Sequence, residues 1–403
     1  MTKKHLSPIT IYIVHHPDCE SSEDLARSLF SWFRLGENGG HTAVSAGLPV
    51  FFRRRLTNTA ACSEFYPTLE LNEAHWNVIV LLVDQNMLIH PEWRSAAVNL
   101  AERLKTHEGN STLLPVALHQ GLYRIKELYQ FFNPIPLIEL ENTERQAELR
   151  RAVTIAASRA LIDTEGEAIS HNVFLSHAKR DGTQIAECIR DSIRQYGQLT
   201  AWYDANDLRH GEEWEDDMQT AAKEGVKGMI AVASDAYSTR RWCRKEAAWA
   251  RSPRSVRGFD TVWMVQPMVC VDDRKDNWVT GVPMLQGVPH IGWDELDKRR
   301  RVEQIVDRLV LEILLSTMHV EFAKGLVGQK KEDYNTCYIS WVPDSWTLIK
   351  LRENITKIGS DKGVERIVYP GHGLTPFELR ELAPSVSTFG DTCRLVSFDD
   401  VEH

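Results

Sequence analysis

Val173-Phe174-Leu175-Ser176-His177-Ala178-Lys179 is an apolar run that breaks into a polar loop, and the periodicity downstream of it sets the fold. From Thr183 to Tyr196, Ile185, Ile189 and Ile193 recur at every fourth position, which lines them up along one side of a helix. Thr200-Ala201-Trp202-Tyr203 reads as a second strand, Trp214 to Lys223 as a helix, and Met229-Ile230-Ala231-Val232-Ala233 as a third strand. Trp242 to Ala250 reads as a further helix, and Val262-Trp263-Met264-Val265 as a fourth strand before Pro267. A long helix is expected from about Asp294 to Leu315, with Val302, Ile305, Val306, Leu309, Val310 and Ile313 on one face. Short apolar runs alternating with amphipathic helices describe an α/β fold, a parallel sheet covered on both faces.

Upstream of this centre, the first 165 residues echo the same rhythm. Ile11-Tyr12-Ile13-Val14-His15-His16 parallels the run at 173, Val78 to Asp84 parallels Met229 to Asp235, and Trp93 parallels Trp242. Asp84 against Asp235, Trp93 against Trp242, Pro115 against Pro267 and Pro136 against Pro289 share an offset of roughly 150 residues, the mark of an internal repeat. His16 against His177 is offset by roughly ten more, which places an insertion near Gly36-Glu37-Asn38-Gly39-Gly40. Past Gly325 the pattern changes: Gly325 to Asp333 reads as a linker, followed by strand Thr336 to Val342, helix Ser345 to Ile358, strand Arg366 to Tyr369, helix Pro376 to Leu382 and strand Cys393 to Phe398. The expected organisation is therefore 1–165, 166–324 and a small α/β unit at 325–403. The last is small for independent stability.

The chain has 403 residues, 43% hydrophobic and 26% charged, which fits folded globular domains rather than disordered or fibrous material. It shows no apolar stretch of membrane-spanning length and no signal-peptide core, so a cytoplasmic location is expected. Seven scattered cysteines without a Cys-x-x-Cys spacing indicate reduced thiols. A net charge of -9 speaks against general affinity for nucleic acid, despite the local basic clusters Arg53-Arg54-Arg55 and Lys298-Arg299-Arg300-Arg301. Pro370-Gly371-His372-Gly373 has no accompanying histidine cluster to make a metal site and reads as a turn between strand and helix.

The central segment resembles the TIR (Toll/interleukin-1 receptor) domain family, in particular its NAD+-cleaving prokaryotic members. Five stretches carry the likeness in order: Phe174 to Lys179 with Asp181, then Trp202-Tyr203-Asp204, then Asp207 to Trp214, then Ala233 to Tyr237, then Trp242-Cys243-Arg244-Lys245-Glu246. The resemblance implies a flavodoxin-like sheet and a catalytic glutamate at Glu246. It also implies a cleft bordered by Ser176, His177 and Lys179 after the first strand and by the loop from Asp204 to Trp214. Phe174, Trp202, Tyr237 and Trp242 are expected at that cleft, where aromatic rings stack on a base; Phe174 and Trp202 are equally readable as core. Cys243 has no histidine beside it and reads as structural.

A carboxylate suits this chemistry because breaking the nicotinamide–ribose bond generates positive charge at C1′, as in glycoside cleavage. Hydrolysis and cyclisation differ only in what captures that cation. NAD+ is then substrate, with no separate cofactor and no metal expected. Family resemblance further implies work in assemblies through self-association of TIR units, an immune or antiviral effector role, and an activating protein or nucleotide signal. The alternative is a scaffold or signalling adaptor without enzymatic activity, for which Glu246 has no purpose. Aligned on tryptophan, Ala97 stands where Glu246 does, so the N-terminal copy is expected to be degenerate and catalytically inert.

Overall fold

A computed structural model describes residues 7–34, 47–59, 64–67, 69–106, 110–162, 171–195, 199–203, 227–275, 281–329, 335–358, 363–371 and 373–401. The chain divides into two compact units, one within residues 1–167 and the other spanning 168–403.

In the first unit the strands are β1 (Ser7–Val14), β2 (Val50–Arg53), β3 (Leu56–Thr59), β4 (Glu64–Pro67), β5 (Ala74–Val83), β6 (Ser111–Ala117) and β7 (Ile135–Pro136). Apart from the separate antiparallel hairpin β3–β4, they form one sheet ordered β2-β1-β5-β6-β7, with every pairing parallel. The second unit begins with β8 (His171–His177), β9 (Leu199–Tyr203) and β10 (Gly228–Ala233), then β11 (Arg254–Val256), β12 (Phe259–Met264), β13 (Met268–Asp272) and β14 (His290–Gly292). Its first sheet is ordered β14-β13-β10-β8-β9, again parallel throughout. Taken in chain order, both sheets run 2-1-3-4-5, the flavodoxin-like arrangement. The two sheets thus share one strand order.

Two expectations change here. The apolar run at 262–265 is not the fourth strand of the central sheet. That place belongs to β13, while β12 pairs with β15 (Thr336–Ile339) in a third sheet, Val262 against Tyr338 and Trp263 against Ile339. This third sheet runs β11-β12-β15-β16-β17, with β16 (Arg366–Tyr369) and β17 (Arg394–Ser397) parallel to β15 and only β11 antiparallel to its neighbour. It therefore takes two strands from before residue 325, so a boundary drawn there does not separate the sheets.

Nor is Gly325 to Asp333 simply a linker, since one helix runs Lys298–Gln329. At 1.5 Å per residue it is about 48 Å long. Its first half buries Val302, Ile305, Val306, Leu309 and Ile313 against β8, β10 and β13. Its second half buries Ala323 and Leu326 with Val262, Tyr338 and Val368 of the third sheet. Each interior glycine costs about 1 kcal/mol of helix propensity relative to alanine. Burying a leucine contributes about 2 kcal/mol, so packing carries the helix past Gly325. No helix among the described residues is long and apolar enough to cross a membrane.

Candidate active site

The helix Arg241–Arg251 lies over the face of the central sheet formed by Phe174, Met229, Ala231 and Met268. Its buried residues are Cys243, Glu246, Ala247, Ala250 and Arg251, a stripe at three- and four-residue spacing. Glu246 thus lies among Cys243, Ala247 and Ala250 and is only 6% exposed. A carboxylate so placed is costly unless hydrogen bonds replace water.

β8 supplies one such bond. Side chains alternate along a strand, so Phe174 and Ser176 both face the helix while Val173 and Leu175 face the opposite core. Ser176 Oγ donates to Glu246 Oε2 at 2.5 Å and lies 2.8 Å from the Tyr237 hydroxyl. With its only proton given to Glu246, Ser176 can do no more than accept from Tyr237. The arrangement is a directed chain, Tyr237 O–H to Ser176 O–H to the Glu246 carboxylate. The Cys243 carbonyl, 3.3 Å from the tyrosine oxygen, is the more distant acceptor for the same proton. Tyr237 is fully buried, and burial together with the negative charge of Glu246 pushes its phenol well above the usual value. It stays a donor at neutral pH.

The surrounding loops are tied down. Asp181, after β8, accepts from Ser234 Oγ at 2.5 Å and from the Ala236 backbone at 2.9 Å, fixing the loop after β10. Asp235 in turn accepts from the Lys275 backbone at 2.9 Å. These ends of parallel strands are where α/β sheets bind ligands.

Of the residues expected at the cleft, Ser176, Tyr237 and Glu246 come together. Phe174 is 1% exposed and lies in the core beneath Ser176, so in this structure it is a packing residue. His177 ends β8, buried, with its carbonyl accepting from Cys243 Sγ at 3.5 Å. Lys179 is exposed on the following loop. Trp242 is half-buried, its ring 6.1 Å from that of Trp249, with Lys245 Nζ 4.4 Å from its centroid. Trp202 is paired through its backbone with Phe174, and nothing is described of its side chain. Asp204, Trp214, the helix expected at 214–223, the insertion near Gly36 and His372 lie outside the described residues. The role of Ser176 in holding Glu246 goes beyond the sequence-based expectation. Its trace in the sequence is a serine on the helix-facing side of a buried strand.

The first unit presents a different surface at the matching place. Val14, Leu81, Met87, Trp93, Ala96 and Ala97 close on one another without room for a water molecule. Met87 precedes the tryptophan helix as Tyr237 does, and Ala97 takes the glutamate's position. A polar link crosses the strand ends here too: Ser22 Oγ donates to Asp84 Oδ2 at 2.5 Å. Nearby, the Asp18 backbone donates to His16 Nδ1, so His16 carries its proton on Nε2 and donates it to His90 Nδ1 at 2.6 Å. His15 is buried with Nε2 3.5 Å from Glu23. Among the described residues no group of three or more His, Cys, Asp or Glu is set to hold a metal.

No curated protein matches the chain. Among solved structures it is similar to tagatose-6-phosphate ketose/aldose isomerase from Escherichia coli, at 13% identity over 78% of this chain and 83% of that one, with a TM-score of 0.22. A putative tagatose-6-phosphate ketose/aldose isomerase from Clostridium novyi NT gives 10% identity over 76% and 78%, also with a TM-score of 0.22. Likenesses this loose bear on neither fold nor function. The family model of the TIR domain matches residues 173–307.

Proposed function

The chain carries a TIR domain across residues 173–307, and on that basis we propose that it cleaves the nicotinamide–ribose bond of NAD+ with Glu246 as the catalytic carboxylate. The observation that carries the reading is Glu246 itself, buried on the sheet-facing side of its helix and held by Ser176, whose hydroxyl is oriented by Tyr237. As the bond breaks, its electron pair passes to the pyridinium nitrogen and C1′ becomes cationic. A fixed carboxylate opposes that charge without having to reorganise. Water, or an atom of the substrate's own adenine, then captures the cation, and the proton it brings leaves to solvent. The products are nicotinamide with ADP-ribose or its cyclic form.

Burial of Glu246 also supports dependence on assembly. At 6% exposure this carboxylate meets substrate only after a rearrangement, and packing of TIR units against one another supplies a cause. We read the protein as a cytoplasmic immune effector, idle alone and switched on by self-association under a protein or nucleotide signal. The first unit, with Ala97 and Met87 in place of Glu246 and Tyr237, serves as a degenerate copy for contacts or sensing.

Incubating the chain with NAD+, dilute and crowded, and following nicotinamide tests the reading. Release by the wild type should fall about 100-fold or more in Glu246→Gln. Glutamine can still accept from Ser176, so stability should change by no more than about 1 kcal/mol. No release under any crowding overturns the enzyme reading in favour of a scaffold, and equal release by the variant acquits Glu246.

A further inference from the structure

On the other flank of Tyr237, between the carboxyl ends of β10 and β13, lies a crevice of about 190 Å³. Its walls are apolar: Ala233, the Tyr237 ring, Cys270, Val282 and Leu285. Burial pushes the Cys270 thiol up to about 12, so it is a neutral wall and not a nucleophile. The rim is polar, made by Ser238, Gln286, His290 and Arg274. His290 Nε2 is engaged by the Leu285 carbonyl at 2.9 Å. A carbonyl only accepts, so that nitrogen donates and the neutral ring keeps Nδ1 as an acceptor. Arg274 is gripped by Asp272 through Nε at 2.8 Å and Nη2 at 2.5 Å, which cancels its charge locally.

Three properties narrow the occupant. Pockets for drug-sized molecules measure roughly 300–1,000 Å³, so this one takes a single ring. A rim whose one cation is already paired selects no net charge. Ser238 and Gln286 each donate and accept, matching a carboxamide. We propose that this crevice is a second ligand site, separate from the Glu246 cleft, for a neutral heteroaromatic amide of the nicotinamide type, and that its occupancy is transmitted to Glu246 through Tyr237 and Ser176. A ring in the crevice presses on the tyrosine ring, whose hydroxyl orients Ser176 2.8 Å away. A small shift there turns the serine proton away from Glu246. The leaving group of the proposed reaction would then restrain the enzyme from outside its active site.

The ligand site stands on its own geometry; its effect on rate rests on the proposed cleavage of NAD+. Binding of nicotinamide to the full chain, without NAD+, is followed by titration calorimetry and ligand-observed NMR. Saturable binding should weaken at least tenfold in Ser238→Phe, which fills the mouth from its half-buried edge, and persist in Trp242→Ala. Nicotinic acid, which carries a charge, should bind at least tenfold more weakly. Ser238→Phe binding like the wild type, or Trp242→Ala abolishing binding, overturns the site. In turnover, nicotinamide should lower kcat with KM unchanged in the wild type and have at least tenfold less effect in Ser238→Phe. Inhibition purely competitive with NAD+ overturns the coupling. Absence of any turnover with binding intact instead counts against the enzyme reading while leaving the ligand site established.

Discussion

A serine hydroxyl is one of the groups that hold Glu246. Replacing Ser176 by alanine removes the donor to the carboxylate and the acceptor for Tyr237 at one stroke. Tyr237 keeps the Cys243 carbonyl, and a hydrogen bond to a charged group contributes about 1.5–3 kcal/mol, so denaturation of Ser176→Ala should show a loss in that range. Its nicotinamide release should also fall about tenfold through misplacement of the carboxylate, with kcat affected more than KM. Unchanged turnover would show that Glu246 needs no orientation. Glu246 was legible in the sequence because the tryptophan-cysteine motif names it, and its burial was legible in principle, since three residues after Cys243 and four before Ala250 it falls on the buried stripe. The serine–tyrosine chain was not legible. It depends on the register that sets Ser176 beside Ala231 and on how the helix lies over that face, and both are products of tertiary packing.

Among the elements, the helix carrying Glu246 ends at Arg251, 5% exposed and paired with Asp344 at 2.5 Å. Asp344 also caps the helix Ser345–Lys357 through a capping box with Thr347. The two duties separate by substitution. Asp344→Asn keeps a capping oxygen and loses the charge, leaving Arg251 buried without its counter-ion, a loss of roughly 3 kcal/mol. Asp344→Ala loses the cap as well and should be about 1 kcal/mol worse. Urea denaturation of both variants checks the order. In the first unit, burial lowers His15, while burial and the adjacent His90 lower His16, against Asp84, Asp18 and Glu23 nearby. The unfolded chain takes up these protons first. Stability should therefore level off above pH 6.5 or so and decline as pH falls below it. Amide exchange along β1 at pH 7.5 and 5.5 measures this, and His16→Asn should flatten the difference. Among the described residues from 173 to 250, the strands and helices were readable from periodicity. The strand at 262 was misplaced because a short apolar run states that it is buried without saying in which sheet.

For the whole molecule, the repeat was visible as a near-constant offset and reappears as one strand order used twice, whereas the third sheet was hidden by its construction from separated pieces of chain. A chain ending at residue 324 should lose more than its last sheet. Val262 and Trp263 would lose their β15 partners and the long helix its second half's packing, so the second unit should unfold at lower urea with a shallower transition. A chain beginning at 168 should retain a single steep one. Circular dichroism of the two pieces distinguishes these outcomes. The pairs Ser22–Asp84 and Asp181–Ser234, with the acid after the later strand in one and after the earlier strand in the other, carry a consequence for grafting between the units. Moving only the residue that closes the third strand, as in Ser234→Asp, would set two carboxylates against each other at Asp181. Moving only the earlier residue, as in Asp181→Ser, would set two hydroxyls together. Either half-step costs stability, and the two together restore the serine–aspartate pair but not the bond that Asp181 accepts from the Ala236 backbone, so a hybrid of these halves must be transplanted in matched loops or not at all.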